Sequence, residues 1–232
     1  FVGIMQAKAL GFALNGSFLA KGQSVTGRQT AECKGSGIVW NGTEYSEIIF
    51  IPHSEEATFT LEDVTIGINY HWERRENQTF KGVLKLIVEN GNIVAVNAVR
   101  VEDYLVSVVS SEMHANASKE FLKASAIISR SWLLSQIEHR QFDDEDRTAN
   151  VVDDGCEDEI ITWTDREAHL LFDVCADDHC QRYQGVSKVC NEAAVQAVQD
   201  TYGMVLTYDD TICDARFAKC CGGVSEEFST RW

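Results

Sequence analysis

The amino-acid sequence predicts an α+β fold with a β-rich N-terminal part, a central segment of two helices and a mixed C-terminal part. Residues 1 to about 100 contain short runs of β-branched and aromatic residues, interrupted by glycine-containing turns. From residue 101 to about 140, the spacing of the apolar residues becomes helical. The remaining residues alternate short apolar runs with polar stretches, which predicts a mixture of short elements.

Strands of the N-terminal part are predicted from alternating apolar residues and from three Asn-Gly dipeptides. The dipeptides stand at 15–16, 41–42 and 90–91, each between apolar runs. Asn and Gly both tolerate the positive φ that a two-residue hairpin turn requires, so each dipeptide predicts a hairpin. The clearest case is LKLIVE followed by NGN and IVAVNAV, over residues 84–99.

Two helices are predicted in the central segment, over about 101–112 and about 119–139. Asn116 and Ser118 supply capping side chains between them, and Glu120 suits the positive end of the second helix. That helix ends in basic residues, as is typical of helix C-termini.

The C-terminal part begins with an acidic stretch at about 141–159 (QFDDEDRTANVVDDGCEDE), which predicts a solvated loop. It lacks the D-x-[DN]-x-[DN]-G spacing of a calcium loop. A short helix is predicted over 191–201. We divide the chain into a β-rich portion, 1–80, and a second region, 81–232, and expect the two to form one compact unit.

Composition and charge exclude several classes of partner. The 232 residues include 36 acidic and 20 basic side chains, for a formal net charge of −16. Nucleic acids and anionic membrane surfaces are bound through Lys and Arg, so neither is expected as a partner. No uninterrupted apolar stretch approaches the roughly 18–20 residues of a membrane-spanning helix. A sugar polymer, a neutral polyol or a small molecule fits this composition.

Glu112 is the first candidate catalytic residue. In a helix, Val101, Leu105, Val108 and Glu112 share one face, so the carboxylate extends an apolar stripe. Apolar surroundings disfavour the ionised form of a carboxylate, and a general acid must hold its proton. An ordinary buried and hydrogen-bonded Glu would give the same pattern.

Lys123 and Arg130 are candidate binding residues in the second predicted helix. They are two turns apart and therefore project from nearly the same face. Arg130 interrupts the most apolar part of that helix, between AIIS and SWLL. With Glu112, the two cations predict a small cationic pocket around one carboxylate, which could bind an anionic or polyol substrate. A solvated Arg on the polar face is the alternative.

A candidate metal site lies in the stretch H169-L-L-F-D-V-C175-A-D-D-H179-C180. His169, Cys175, His179 and Cys180 offer imidazole and thiolate ligands, which suit tetrahedral zinc. Four protein ligands would make the zinc structural, whereas a catalytic zinc would keep one position open. A disulfide between Cys175 and Cys180 is the alternative. The motifs G-x-S-x-G, H-E-x-x-H, G-x-G-x-x-G and the P-loop are absent.

Three stretches resemble the stage II sporulation protein D (SpoIID) and LytB-like cell-wall proteins. The first is FKGVLKLIVENGNIVAVNAVRVEDYLVSVVSSEM, which is similar to that family's strand pair and its E-D-Y-L…V-x-S-E-M segment. The second is FLKASAIISRSW, and the third is AVQDTYGMVLTYDDTICDARFAKCCGGVSEEFSTRW, similar to the family's T-x-G-x-V-L-x-Y closing segment. The likeness covers about residues 80–232.

The resemblance implies a lytic transglycosylase that cleaves peptidoglycan glycan strands, preferably without stem peptides, to anhydro-muramyl ends. In that family the Glu of S-E-M is the catalytic acid and base, and its position falls on Glu112. The family's Lys and Arg of the following helix fall on Lys123 and Arg130. Some members hold zinc near a D-x-x-H-[SC]-Q-x-Y segment, here DDHCQRY, which implies the four His and Cys residues above as ligands of a structural zinc.

Two departures from the family pattern lead to an alternative function. His114 stands where the family usually has Pro, and Phe217, followed by Ala218, stands where many members have an active-site Tyr. Phe217 is kept as a predicted substrate-binding position, although it lacks the hydroxyl of Tyr. The alternative is a non-catalytic peptidoglycan-binding module that recruits or activates a cell-wall amidase. A zinc hydrolase built on the Cys/His cluster is a third hypothesis.

The predicted substrate also implies a location. Because peptidoglycan lies outside the cytoplasmic membrane, we expect an exported protein of the periplasm or cell envelope.

Overall fold

A computed structural model describes residues 1–68, 70–114, 116–143, 169–189, 192–217 and 223, and it confirms the predicted α+β class. Strands prevail up to residue 98, two long helices follow, and short elements make up the C-terminal part. Residues 141–143 of the predicted acidic loop continue the second helix. The rest of that loop lies outside the described residues.

The strands within the described residues concentrate in the first hundred positions. In chain order they are β1 (Val2–Ala7), β2 (Ala9–Ala20), β3 (Gln23–Lys34), β4 (Gly37–Trp40), β5 (Thr43–Tyr45), β6 (Glu47–Pro52), β7 (Thr58–Ile66), β8 (Arg74–Lys81), β9 (Val83–Glu89), β10 (Asn92–Ala98), β11 (Val174–Cys175), β12 (Thr207–Tyr208) and β13 (Thr211–Ile212).

Strands β1 to β11 form one sheet, in the order β11-β1-β10-β9-β6-β2-β3-β4-β5, while β7 pairs with β2 and β8. The described pairings are antiparallel except for that of β1 with β11, which is parallel. The hairpin β12–β13 stands apart. Strands β9 and β10 follow residue 80 yet pair with β6 and β1, so the sheet runs across the boundary that we placed there.

Two of the three Asn-Gly hairpin predictions are confirmed. Residues 41–42 turn between β4 and β5, and residues 90–91 turn between β9 and β10, all four with positive φ. The prediction at 15–16 is wrong, because both residues lie inside β2, where the register with β3 shifts. The Asn15 amide donates hydrogen bonds to two threonine hydroxyls of β7, which stabilises this bulge. The turn falls instead at Lys21 and Gly22.

Three α-helices and one 3₁₀-helix are described: α1 (Val101–Glu112), α2 (Lys119–Asp143), the 3₁₀-helix (Gly185–Lys188) and α3 (Glu192–Asp200). The predicted bounds of α1 are confirmed, whereas α2 runs a turn further than predicted. Helix α1 begins shortly after β10 and buries Tyr104, Leu105, Val108 and Val109 in the core. Arg130 of α2 pairs with Glu102 at the start of α1, so the two helices run antiparallel.

One segment between β11 and the 3₁₀-helix, residues 175–184, crosses the face of α1; we call it the cluster loop. Its start is attached to β1 by the parallel pairing of Cys175 with Gly3. Its end is attached to α1, where Tyr183 stacks on Tyr104 with ring centroids 5.0 Å apart. The loop therefore connects the edge of the sheet to the helices. None of the helices in the described part of the chain is both long and apolar enough to cross a lipid bilayer.

Candidate active site and metal centre

Glu112 is the last residue of α1 and is partly buried. The helix ends here because Met113 adopts an extended conformation, with φ −104° and ψ 148°. The Glu112 carboxylate accepts a hydrogen bond at Oε1 from the backbone N–H of Arg182, over 3.0 Å. Among the described residues, Oε2 has no hydrogen-bond partner. One oxygen of the carboxylate is thus held in place by the cluster loop.

The backbone of Arg182 is itself fixed, because its neighbours in the cluster loop bind three different elements. Gln181 accepts a hydrogen bond from the Tyr104 hydroxyl of α1 and donates one to the Ser129 carbonyl of α2. The Tyr183 hydroxyl donates to Asn97 Oδ1 of β10 over 2.7 Å. Further along, the Gln184 N–H donates to Ser107 Oγ of α1.

The two tyrosines in this network are protonated at neutral pH. Burial raises the pKa of the Tyr104 phenol well above its usual range. Burial likewise raises the pKa of Tyr183. Both hydroxyls are therefore hydrogen-bond donors at neutral pH, as the bonds to Gln181 and Asn97 require.

The four predicted metal ligands are brought together by the cluster loop. Ligand atoms of His169, Cys175, His179 and Cys180 all lie within 4.8 Å of one another. The Cys180 sulfur is 3.4 Å from His169 Nε2 and 3.4 Å from His179 Nδ1. Cys175 and Cys180 are both free thiols, so the alternative disulfide between them is not formed.

This donor set fits zinc. Hydrogen bonding from Cys180 is the main cause that lowers the pKa of the Cys175 thiol to about 2, while burial opposes it. A thiolate is the form of Cys that binds metals. The backbone N–H of Cys175 points at the Cys180 sulfur over 3.4 Å, an outer contact common around metal-bound thiolates. Two thiolates and two imidazoles make a four-ligand set of the structural type. Their mutual distances are close to those of four ligands that each bind one zinc ion over about 2.0–2.3 Å.

Arg182 is a candidate functional residue that the sequence did not indicate. Its guanidinium donates through Nε and Nη2 to Asp178 Oδ1, over 3.1 and 2.6 Å. It also lies over the Trp72 ring, 4.8 Å from the centroid. Asp178 and Arg182 stand in the quoted DDHCQRY motif, but their pairing needs the observed loop. Trp72 is 110 residues away in the chain and carried no signal.

Arg130 corrects the expectation of a cationic pocket around Glu112. Its side chain is only 1% exposed and forms a bidentate ion pair with Glu102, over 3.0 and 2.6 Å. It also donates to the Met204 carbonyl over 3.0 Å. Glu102 and Glu112 are ten residues apart, about 15 Å along α1. Since α1 and α2 are antiparallel, Arg130 faces the wrong end of α1 to reach Glu112.

Lys123 also binds other carboxylates. Its ammonium is 3.2 Å from Glu120 and 3.5 Å from Asp200, and Lys119 is 2.8 Å from Asp200. These contacts attach α2 to α3. Neither Lys123 nor Arg130 is joined to Glu112 by an ion pair in the part of the chain that the structure describes.

Phe217 and His114, the two departures from the family pattern, lie at different places. His114 is exposed, two residues after Glu112, and its Nδ1 accepts a hydrogen bond from the Asn116 N–H. Phe217 is 38% exposed and follows the hairpin β12–β13. The segment before it lies along α2, where Gln136 donates to Asp214. The described contacts do not bring Phe217 to Glu112.

Two cavities outlined by described residues lie elsewhere. One of about 900 Å³ opens at the start of α1, between Arg100, Asp103 and Tyr202, at the opposite end of the helix from Glu112. We place the candidate site at Glu112 nevertheless, because Arg182, whose N–H holds the carboxylate, is two residues from Cys180 of the Cys/His cluster. Among the described residues, the site is formed by α1, the cluster loop and, through the contact of Arg182 with Trp72, the turn between β7 and β8.

Comparison with known proteins identifies one family. A family model described as Stage II sporulation protein (SpoIID) matches residues 89–208, just over half of the chain. The match contains Glu112, Lys123, Arg130 and the Cys/His cluster, and it ends before Phe217. No curated protein and no solved structure matches.

Proposed function

The chain belongs to the SpoIID family of stage II sporulation proteins, which is related to sporulation and the cell wall, and on this premise we propose that it is a peptidoglycan lytic transglycosylase. The proposed reaction cleaves the glycan strand after muramic acid and leaves an anhydro-muramyl end. Glu112 is the proposed acid and base. The observation that carries the proposal is the Glu112 carboxylate, with Oε1 held by the Arg182 N–H and Oε2 without a partner among the described residues.

In the first step, the protonated Oε2 of Glu112 donates its proton to the glycosidic oxygen, as the bond from that oxygen to C1 of muramic acid breaks. In the second step, the same oxygen accepts the proton of the sugar's primary hydroxyl, whose oxygen bonds to C1. Glu112 is protonated again at the end, and no water is consumed. Ordinary glycoside hydrolysis uses two carboxylates, whereas a nucleophile already tethered to the substrate needs only one.

The cluster loop has a positioning role in this proposal. The Arg182 N–H holds Oε1, so that the other oxygen keeps one orientation through both proton transfers. His169, Cys175, His179 and Cys180 would hold a zinc ion. The zinc would supply structural cross-linking of the loop, and the four residues would leave no ligand position for substrate.

Lys123 and Arg130 are not assigned to substrate binding in this proposal, unlike in the prediction from the sequence. Arg130 is committed to Glu102, and Lys123 to Glu120 and Asp200, so both support the helices around the site. Arg182 contacts Glu112 through its backbone N–H, and its guanidinium is paired with Asp178 and lies over Trp72. A peptidoglycan substrate also implies export to the periplasm or cell envelope, which is part of the proposal.

One experiment tests the proposal directly. Peptide-free glycan strands are incubated with the wild-type protein and with Glu112→Gln, and the products are analysed by mass spectrometry. We expect anhydro-muramyl ends from the wild type and at least 100-fold fewer from the variant, since general acid–base catalysis contributes about 10²–10⁴-fold. A Glu112→Gln protein with full activity would contradict the role of Glu112.

A second candidate function is favoured by the departure at Phe217. This residue stands where many members of the family have an active-site Tyr, and it lacks the hydroxyl of Tyr. A peptidoglycan-binding module that recruits or activates a cell-wall amidase would not need that hydroxyl. Strand binding without cleavage by the wild type, together with stimulation of a purified amidase, would support this second function instead.

A further inference from the structure

The turn between β7 and β8 carries two stacked aromatic residues. Tyr70 and Trp72 have ring centroids 5.3 Å apart and planes within 15° of parallel. Tyr70 is 53% exposed, whereas Trp72 is half-buried beneath it. We call this pair the aromatic platform. An exposed aromatic ring in a fixed orientation is a typical ligand-binding element.

The platform is held rigidly from below. Gly67 has φ +68°, and a Cβ atom there would lie 2.2 Å from the Trp72 ring, so the indole packs directly on the glycine backbone. On another side, the Arg182 guanidinium lies 4.8 Å from the Trp72 centroid, a cation–π contact. The turn itself is closed by the hydrogen bond from the Tyr70 N–H to the Gly67 carbonyl.

The platform is attached to the cluster loop by the backbone as well. Asp177 accepts hydrogen bonds from the N–H groups of Gly67 and Ile68, over 3.3 and 3.4 Å. Asp178, the next residue, holds the Arg182 guanidinium. The turn and the loop thus form one connected structure.

Arg182 joins the platform to the candidate catalytic residue. Its backbone N–H binds Glu112, and its guanidinium contacts Trp72. Trp72 is therefore connected to the Glu112 carboxylate through the single residue Arg182, and Tyr70 stacks on Trp72. We expect a glycan strand bound at Glu112 to reach the platform with a neighbouring sugar unit.

We propose that the aromatic platform, Tyr70 and Trp72, is a sugar-binding subsite that stacks an uncharged N-acetylhexosamine ring of the glycan strand beside Glu112. This inference rests on the proposed function. Pyranose rings present apolar C–H faces that pack on aromatic rings. Asp178 pairs with the Arg182 guanidinium, so this cation is not free to pair with a phosphate or carboxylate of a ligand, which suits an uncharged sugar.

The test measures binding without cleavage. In the Glu112→Gln background, the dissociation constant for peptide-free glycan strands is measured with Tyr70→Ala, Tyr70→Phe and the control Tyr208→Ala. Tyr208 is 75% exposed on the hairpin β12–β13, which is not part of the sheet that carries the β7–β8 turn. We expect Tyr70→Ala to raise Kd roughly three- to ten-fold, as the loss of one aromatic contact predicts. Tyr70→Phe keeps the ring and should bind nearly as well as the parent, and Tyr208→Ala should have no effect.

Unchanged binding by Tyr70→Ala, or equal losses from Tyr70→Ala and Tyr208→Ala, would overturn the subsite. This outcome is separate from a failure of the proposed function. A wild-type protein that forms no anhydro ends, but whose strand binding depends on Tyr70, would keep the subsite and reject the transglycosylase. Circular dichroism of each variant ensures that a lost fold is not read as lost binding.

Discussion

At the scale of single residues, we expect substitutions in the ion pair between Arg130 and Glu102 to lower the free energy of unfolding the most. Arg130→Met keeps much of the buried volume and leaves Glu102, which is 26% exposed and can hydrate. We expect a loss of about 2–4 kcal/mol in the free energy of unfolding. Glu102→Gln leaves a buried guanidinium that cannot give up its proton, so we expect a larger loss, about 3–5 kcal/mol. Urea denaturation measures both.

The same variants separate a structural role for Arg130 from a substrate-binding one. A structural Arg130 leaves the affinity of the folded protein for glycan strands unchanged. Losses below about 1 kcal/mol in both variants, the range of exposed pairs, would contradict the burial of this pair. A weaker affinity for glycan strands at an unchanged free energy of unfolding would show instead that Arg130 binds the substrate.

Glu112 and Arg130 show which features of the site the sequence could predict and which it could not. The position of Glu112 at the end of a helix followed from local periodicity, and the resemblance supplied its role. Its partner, the backbone N–H of Arg182, is 70 residues away, and every residue type has such a group. Arg130 was expected near Glu112 because both follow helical spacing. The antiparallel packing of α1 and α2, which spacing does not encode, placed it beside Glu102 instead.

At the scale of elements, we expect a bound zinc ion to hold the cluster loop in its conformation. We expect the purified protein to contain one zinc ion per chain, and Cys175→Ser to lose it. Hydrogen exchange at the amides of Tyr183 and Gln184 should then rise, because both are bonded through this loop. Formation of anhydro ends should fall with it, as Arg182 loses its fixed position.

Cys33→Ser is the matched control, since Cys33 is a free cysteine in β3, outside the Cys/His cluster. It should retain zinc and the protection of both amides. A Cys175→Ser protein with full zinc content and unchanged exchange would contradict the metal centre.

The elements also show how local signals succeed or fail. The Asn-Gly pairs at 41–42 and 90–91 turn as predicted, because both neighbouring strands end there. The pair at 15–16 lies within the long strand β2, which pairs with β3, β6 and β7, and those pairings favour a bulge over a turn. The grouping of His169, Cys175, His179 and Cys180 could be predicted because these four residues lie within twelve residues of sequence. The aromatic platform could not, because its contacts join the β7–β8 turn to a loop about 110 residues later.

At the scale of the whole molecule, the shared sheet predicts that residues 81–232 do not fold alone. Strands β9 and β10 pair with β6 and β1, which the fragment lacks. Without β1 and β6, the buried residues Leu84, Leu86 and Ile93 would lose the sheet that covers them. We expect a fragment of residues 81–232 to lack cooperative thermal unfolding and to expose apolar surface to a dye such as ANS. A cooperatively folded fragment would establish two independent domains on either side of residue 80.

In the proposed reaction, one carboxylate, Glu112, closes an anhydro ring without water. The most direct measurement is mass spectrometry of products formed from peptide-free glycan strands in ¹⁸O-labelled water. We predict anhydro-muramyl ends without ¹⁸O from the wild type, and no new ends from Glu112→Gln. Reducing ends that carry ¹⁸O would show that water is the nucleophile, and would contradict a transglycosylase built on Glu112.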